Sequence, residues 1–116
     1  MYTDKKYWSD YYLDSEYTKE KIISICSQYD RYWDILIKSC QSEPKTILEV
    51  GAYPGRYISY VAWKYNMHPT AIDFNPDKKT IEKSFFMMGI NNYEIISEDF
   101  FEWNSSNKYD LIISLG

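Results

Sequence analysis

At Pro44 the hydrophobic period of the chain changes from a helical one to an alternation of short strands and helices, and that alternation continues to Gly116. Thr46 to Val50 (TILEV) is a β-branched apolar run broken by Gly51, and Arg56 to Tyr65 after it reads as a helix. Thr70 to Phe74 (TAIDF) repeats the strand, and Pro76 to Met88 repeats the helix with proline at its first position. Tyr93 to Ser97 and Tyr109 to Ser114 (YDLIIS) supply two more strands. Strands separated by helical stretches pair in parallel through right-handed crossovers, which predicts an α/β fold: a Rossmann-like parallel sheet of about four strands with helices on both faces. In such sheets the ligand crevice opens where the strand order reverses, and the expected order, 3-2-1-4, puts that point between the first and fourth strands.

Upstream, Ile22, Ile25, Cys26, Tyr29, Trp33, Leu36, Ile37 and Cys40 step by three and four, predicting one helix from about Ser15 to Gln41 with a single buried stripe. Fourteen residues of helix rise ~21 Å, whereas a disulfide needs Cα atoms within ~7 Å. Cys26 and Cys40 are therefore expected as buried thiols. Before this helix, Tyr7, Trp8, Tyr11 and Tyr12 crowd a segment rich in aspartate and poor in aliphatics. Such aromatics fit a pocket mouth or a neighbouring subunit as well as ordinary packing. The expected organisation is an N-terminal helical cap over residues 1–44 and a ligand-binding half domain over residues 45–116.

Charge removes several classes of partner. With 13 basic and 17 acidic residues, the net charge of −4 lacks the electrostatic footprint of a nucleic-acid-binding protein. No apolar run approaches the ~18 residues of a membrane span. Met1 is followed by Tyr2, Thr3, Asp4 and two lysines, with no apolar signal core, which predicts a cytoplasmic location. One histidine and two separated cysteines give no metal-ligand spacing.

The chemistry gathers at strand ends. Glu49-Val50-Gly51-Ala52-Tyr53-Pro54-Gly55 closes the first strand, Asp73 lies at the end of the second, eighteen residues after Gly55, and Glu98-Asp99-Phe100-Phe101 follows the third. Glycines at a strand-to-helix turn let a ligand approach the backbone, and a carboxylate at the second strand end can accept both hydroxyls of a ribose. A dinucleotide fold wants glycines at relative positions zero, two and five, but those positions from Gly51 hold Gly51, Tyr53 and Arg56. Taken singly, Glu49 and Asp99 also fit solvated acids, and Asp73 also fits a helix cap. His68 reads as a surface residue in a connector, and Arg56 as either a partner for a ligand carboxylate or a solvated cation.

The run ExGxxxG formed by Glu49, Gly51 and Gly55 resembles the first motif of class I S-adenosylmethionine-dependent methyltransferases, with Tyr53 in place of that motif's middle glycine. The resemblance extends over about residues 46 to 116. Asp73 matches the family's ribose-binding acid, Asp99-Phe100 its adenine-binding pair, and the run from Tyr109 to Ser114 its fourth strand, whose end at Leu115 and Gly116 borders the methionine part of the cofactor. The resemblance implies S-adenosylmethionine as cofactor and Glu49, Gly51, Ala52, Tyr53, Gly55, Asp73, Phe74, Asp99, Phe100 and Leu115 as its contacts. Tyr11 of the aromatic opening joins them. It implies a methyltransferase with a small-molecule acceptor and assigns no catalytic residue. A complete family domain has about seven strands, so an incomplete domain is expected, with weak transfer and a homo-oligomer formed through the exposed fourth strand. The alternative is a non-catalytic nucleotide-binding remnant or an interaction module docking through that strand.

Overall fold

The computed structural model describes residues 18–103 and 107–115, so Tyr7, Trp8, Tyr11, Tyr12 and Gly116 lie outside the described residues. The elements are α1 (Lys19–Cys26), a 3-10 turn (Ser27–Tyr29), α2 (Asp30–Lys38), β1 (Thr46–Val50), α3 (Arg56–Tyr65), β2 (His68–Asp73), α4 (Lys78–Met87), β3 (Glu94–Ser97) and β4 (Leu111–Ile113). The strands form one parallel sheet in the order β3-β2-β1-β4, as the alternation predicts.

Most of the remaining boundaries shift by a few residues, and four of the differences have a local reason. The helix expected from Ser15 to Gln41 is broken by the 3-10 turn, and the Trp33 indole N–H donates to the Cys26 carbonyl at 3.2 Å. A side chain thus satisfies an acceptor at the break. Both cysteines are free, and burial pushes the Cys26 thiol up to about 12. β2 starts at His68 rather than Thr70: His68 and Pro69 pair with Thr46 and Ile47 of β1, while pairing with β3 begins only at Thr70. Pro69 therefore sits where β2 still has a free edge, the place in a sheet that tolerates a missing N–H.

α4 starts at Lys78, not Pro76, because Asp77 is its N-cap and accepts from the Lys79 N–H at 3.0 Å. β4 starts at Leu111 rather than Tyr109 because Asp110 replaces the ladder ahead of it. The Asp110 carboxylate accepts from the Lys45 and Thr46 N–H groups at 2.8 and 3.2 Å, and its own N–H donates to Thr46 Oγ1 at 2.9 Å.

The register assigns the two faces of the sheet. Ile47, Ala71, Ile95, Leu111 and Ile113 share one face. They pack with Ile22 and Cys26 of α1, Trp33 of α2, Ile58 and Val61 of α3, and Ile81 and Phe85 of α4 in one core cluster. The described helices gather there because β1, β2 and β3 advance in one direction, so right-handed crossovers keep α3 and α4 on the same side. The connection from β3 back to β4 reverses direction, and its described part carries no helix.

Leu111, Ile112 and Ile113, expected to be exposed together, are divided by strand alternation: Leu111 and Ile113 are buried, and only Ile112 is open, at 59%. α2 is tied to α3 by polar contacts. The Tyr60 hydroxyl donates to Asp30 at 2.5 Å, Lys64 pairs with the same carboxylate at 2.9 Å, and the Tyr65 hydroxyl donates to Asp34. Among the described residues, no helix is long and apolar enough to cross a membrane.

Candidate functional site

Parallel strands end together, so Val50, Asp73 and Ser97 reach one edge of the sheet with the turn after β1 beside them. A cavity of about 350 Å³ opens there, lined by Val50, Gly51, Ile72, Asp73, Phe74, Glu98, Asp99, Phe100 and Phe101. The structure thereby brings together five of the residues singled out in the sequence: Gly51, Asp73, Phe74, Asp99 and Phe100. A smaller cavity of about 130 Å³ adjoins it through Gly51 and is walled by Glu49, Ala52, Tyr53, Pro54, Arg56, Tyr57 and Leu115. The two cavities lie on either side of the turn, near the reversal of strand order between β1 and β4. Tyr11 lies outside the described residues.

The turn is organised from inside the protein. Gly51 and Ala52 donate their N–H groups to the Ile72 carbonyl at 2.9 and 3.2 Å, Tyr53 donates to Asp73 Oδ2 at 3.0 Å, and Gly55 donates to the Ala52 carbonyl at 2.5 Å. Pro54, joined to Tyr53 by a cis peptide bond, has no N–H. Every donor from Gly51 to Gly55 is therefore engaged. A pyrophosphate needs such donors free, so the turn is unsuited to a dinucleotide and open to a ligand that presents no phosphate.

Gly51 and Gly55 both have positive φ, +72° and +94°, but they serve different ends. A Cβ on Gly51 would meet no heavy atom within 4 Å, whereas one on Gly55 would stand 3.0 Å from Ile81 Cγ2 and 3.4 Å from Ile81 Cα. Gly55 lets α3 start against α4; Gly51 borders open cavity. Tyr53, in the place of a third glycine, turns its ring toward α4, where its hydroxyl lies 3.4 Å from Thr80 Oγ1 and 3.5 Å from Asp77 Oδ2.

Asp73 is not a helix cap, since Asp77 fills that role. Its Oδ2 accepts from Tyr53 N–H and its Oδ1 from Asn75 N–H at 2.9 Å, which fixes the carboxylate at the cavity wall and leaves each oxygen a further lone pair. Asp99 is exposed, and its Oδ1 accepts from the Phe101 N–H at 2.9 Å. Phe74 and Phe100 both keep exposed ring surface at the cavity.

Glu49 departs most from the solvated acid it resembles in sequence. It is 2% exposed, accepts from the Ile58 N–H at the start of α3, and leaves Oε1 buried without a partner. Burial holds its carboxyl well above the usual carboxylate range, and the neighbouring Asp73 adds to the shift, while the Ile58 bond and Arg56 oppose it. His68, read as a connector residue, is the first residue of β2, 4.0 Å from Glu94 and away from the site. Tyr57 was missed by sequence reasoning. Its signal was its place two residues after Gly55, in the first turn of a helix that starts at the ligand edge.

This sheet order, with its glycine turn after β1 and acids at the ends of the next two strands, is the fold of the class I S-adenosylmethionine-dependent methyltransferases, and the chain adopts it. No family model matches the chain. Over 74 residues it is 31% identical to "Probable (S)-tetrahydroprotoberberine N-methyltransferase 2" of Papaver bracteatum, a match covering 62% of the chain and 21% of that enzyme. Coclaurine N-methyltransferase, solved with N-methylheliamine and SAH, superposes with a TM-score of 0.62 at 24% identity over 87% of the chain and 29% of its own length. The plantazolicin methyltransferase in complex with SAH gives a TM-score of 0.58 at 21% identity, covering 97% of the chain and 42% of that protein. The matches thus span less than half of each longer protein.

Proposed function

We propose that the chain forms the cofactor-binding part of an S-adenosylmethionine-dependent methyltransferase that acts on a small-molecule acceptor. The observation that carries this reading is the pairing of a fixed Asp73 carboxylate, with lone pairs to spare, and a turn whose own donors are all engaged. That pairing suits a nucleoside carrying no phosphate. The curated relative and coclaurine N-methyltransferase, by their names methyltransferases of small molecules, support the acceptor class.

The residues fit the cofactor along its length. Asp73 would take the ribose hydroxyls, Phe74 and Phe100 would flank a flat base, and Asp99 would accept from an exocyclic amine. The orphaned Glu49 Oε1 would meet the ammonium of the methionine part, with Ala52, Tyr53 and Leu115 as walls. S-adenosylmethionine supplies a methyl group on a sulfonium, whose departure as a neutral thioether needs no acid. The protein's work is then to orient the two reactants and exclude water, so no catalytic acid or base is assigned. Cytoplasmic placement and the lack of a nucleic-acid partner belong to the same proposal.

Isothermal titration tests it: S-adenosylhomocysteine should bind and NAD should not. Asp73→Ala should weaken binding at least roughly tenfold, as loss of charged hydrogen bonds implies. Because Asp73 also holds the Tyr53 and Asn75 N–H groups, the variant is compared at a temperature where circular dichroism shows it folded. Binding of NAD as tight as that of S-adenosylhomocysteine, or indifference to Asp73→Ala, overturns the reading.

A further inference from the structure

The two oxygens of the Asp73 carboxylate are held from different segments of the chain, and the two holds meet again behind it. Oδ2 accepts from the Tyr53 N–H at 3.0 Å, in the turn after β1, and Oδ1 from the Asn75 N–H at 2.9 Å, in the connector after β2. From Asn75 the bonds run on: its Oδ1 accepts from the Asp77 N–H at 2.9 Å, and Asp77 Oδ2 accepts from the Thr80 hydroxyl at 2.8 Å. The Tyr53 hydroxyl lies 3.4 Å from Thr80 Oγ1 and 3.5 Å from Asp77 Oδ2, which returns the path to its start. Asp73, Asn75, Asp77, Thr80 and Tyr53 thus form a closed circuit of hydrogen bonds.

Each link has a use. Asp77 Oδ1 caps α4 by accepting from the Lys79 N–H, so the circuit is anchored to the first turn of a helix. Asp73 and Asn75 are both buried, where water competes little for their bonds. A carboxylate that takes two vicinal hydroxyls must keep both oxygens aimed at the diol, yet the last side-chain torsion of an aspartate is intrinsically broad. Two N–H groups, each on a segment outside the strands, stop that rotation when those segments are themselves held. Among the side chains of the circuit, that of Tyr53 is the one that reaches from the turn to α4. It stands where the resembling methyltransferase motif has its middle glycine, which has no side chain to make the link.

We propose that Tyr53 is a positioning residue for the nucleoside: its hydroxyl closes the circuit that holds the Asp73 carboxylate in the orientation a ribose diol needs. The proposal rests on the cofactor reading for the role of Asp73 and on the circuit for the role of Tyr53. A closed circuit fails at its first break. Loss of one side-chain link therefore loosens Asp73, and loss of a second adds little, the non-additivity of residues that act as one network.

The test titrates the 116-residue chain with adenosine and with its dideoxy analogue, which lacks both vicinal hydroxyls, and reads binding from NMR chemical shifts. The native chain should bind adenosine more tightly. Tyr53→Phe keeps the aromatic ring and the backbone N–H and removes the hydroxyl alone. It should weaken adenosine roughly two- to fivefold, as loss of one long hydrogen bond implies, and leave the dideoxy analogue unchanged. Asn75→Ala, which opens the circuit on its other side, should give the same hydroxyl-dependent loss, and the double variant little more than either single one. Circular dichroism checks that each variant folds. A merely structural role would weaken both nucleosides alike. Equal weakening of the two by Tyr53→Phe, adenosine binding indifferent to it, or losses that add in the double variant overturns the inference, while a native preference for adenosine keeps the cofactor reading standing. Absence of that preference in the native chain overturns the ribose role of Asp73, and the inference with it.

Discussion

Glu49 couples burial, charge and ligand in one side chain. Its carboxyl is raised because burial penalises the ionised form, so the neutral acid is favoured in the folded chain and the ionised acid in the unfolded one. The sign follows: the contribution of Glu49 to stability is fully present below its ordinary value of 4.5 and is lost as pH rises through the folded value. Glu49→Gln removes that loss. Thermal melts across pH should show the variant gaining on the native chain as pH rises above the ordinary carboxylate range, with no such trend below it. If an ammonium is the partner of Oε1, the same variant should bind S-adenosylhomocysteine roughly tenfold more weakly at neutral pH. Greater stability with undiminished affinity would mean that Oε1 serves no ligand. Sequence spacing was enough to locate Glu49 and Asp73. The burial of Glu49 was illegible, because it depends on α3 folding back over β1, a contact no local pattern encodes.

At the scale of elements, the β1–α3 turn divides its glycines between ligand and fold. Replacing either puts an L residue in the left-handed region, at ~1–2 kcal/mol. Gly55→Ala adds a clash against Ile81, including its backbone Cα, so it should lower the melting temperature further than Gly51→Ala. Gly51→Val should abolish cofactor binding in a chain that still folds, since its side chain enters open cavity. Equal losses of folding in the two alanine variants, measured by thermal denaturation, would return both glycines to a purely structural role.

The existence and type of these elements were legible because β-branched runs and Gly-Pro punctuation are strong signals. Their ends were set by other forces. Pro69 hid the start of β2, Asp77 rather than Pro76 came just before α4, and Asp110 delayed the start of β4 through bonds that reach sixty-four and sixty-five residues back along the chain. The break at Ser27–Tyr29 escaped the periodicity of the N-terminal helix because the apolar steps of three and four fit a 3-10 turn as readily as an α-helix.

For the molecule as a whole, the expected homo-oligomer depended on a fourth strand exposing Leu111, Ile112 and Ile113 together, and that premise fails. Alternation puts Leu111 and Ile113 into the core with α1 to α4 and leaves Ile112 as the one exposed residue of β4, on the opposite face beside the buried Leu48. Fully burying one isoleucine contributes ~1.5–3 kcal/mol, whereas association costs at least ~4 kcal/mol in lost translational and rotational freedom. One side chain cannot offset that. The free edge of β4 adds little, because a strand of three residues offers few unpaired groups to a second copy, and short edges are a common protection against such pairing. The 116-residue chain should therefore sediment as a monomer at micromolar concentration, and Ile112→Lys should leave its sedimentation unchanged. A dimer that Ile112→Lys dissolves would show that β4 recruits apolar area beyond Ile112, and would restore the interaction module as a rival to the enzyme.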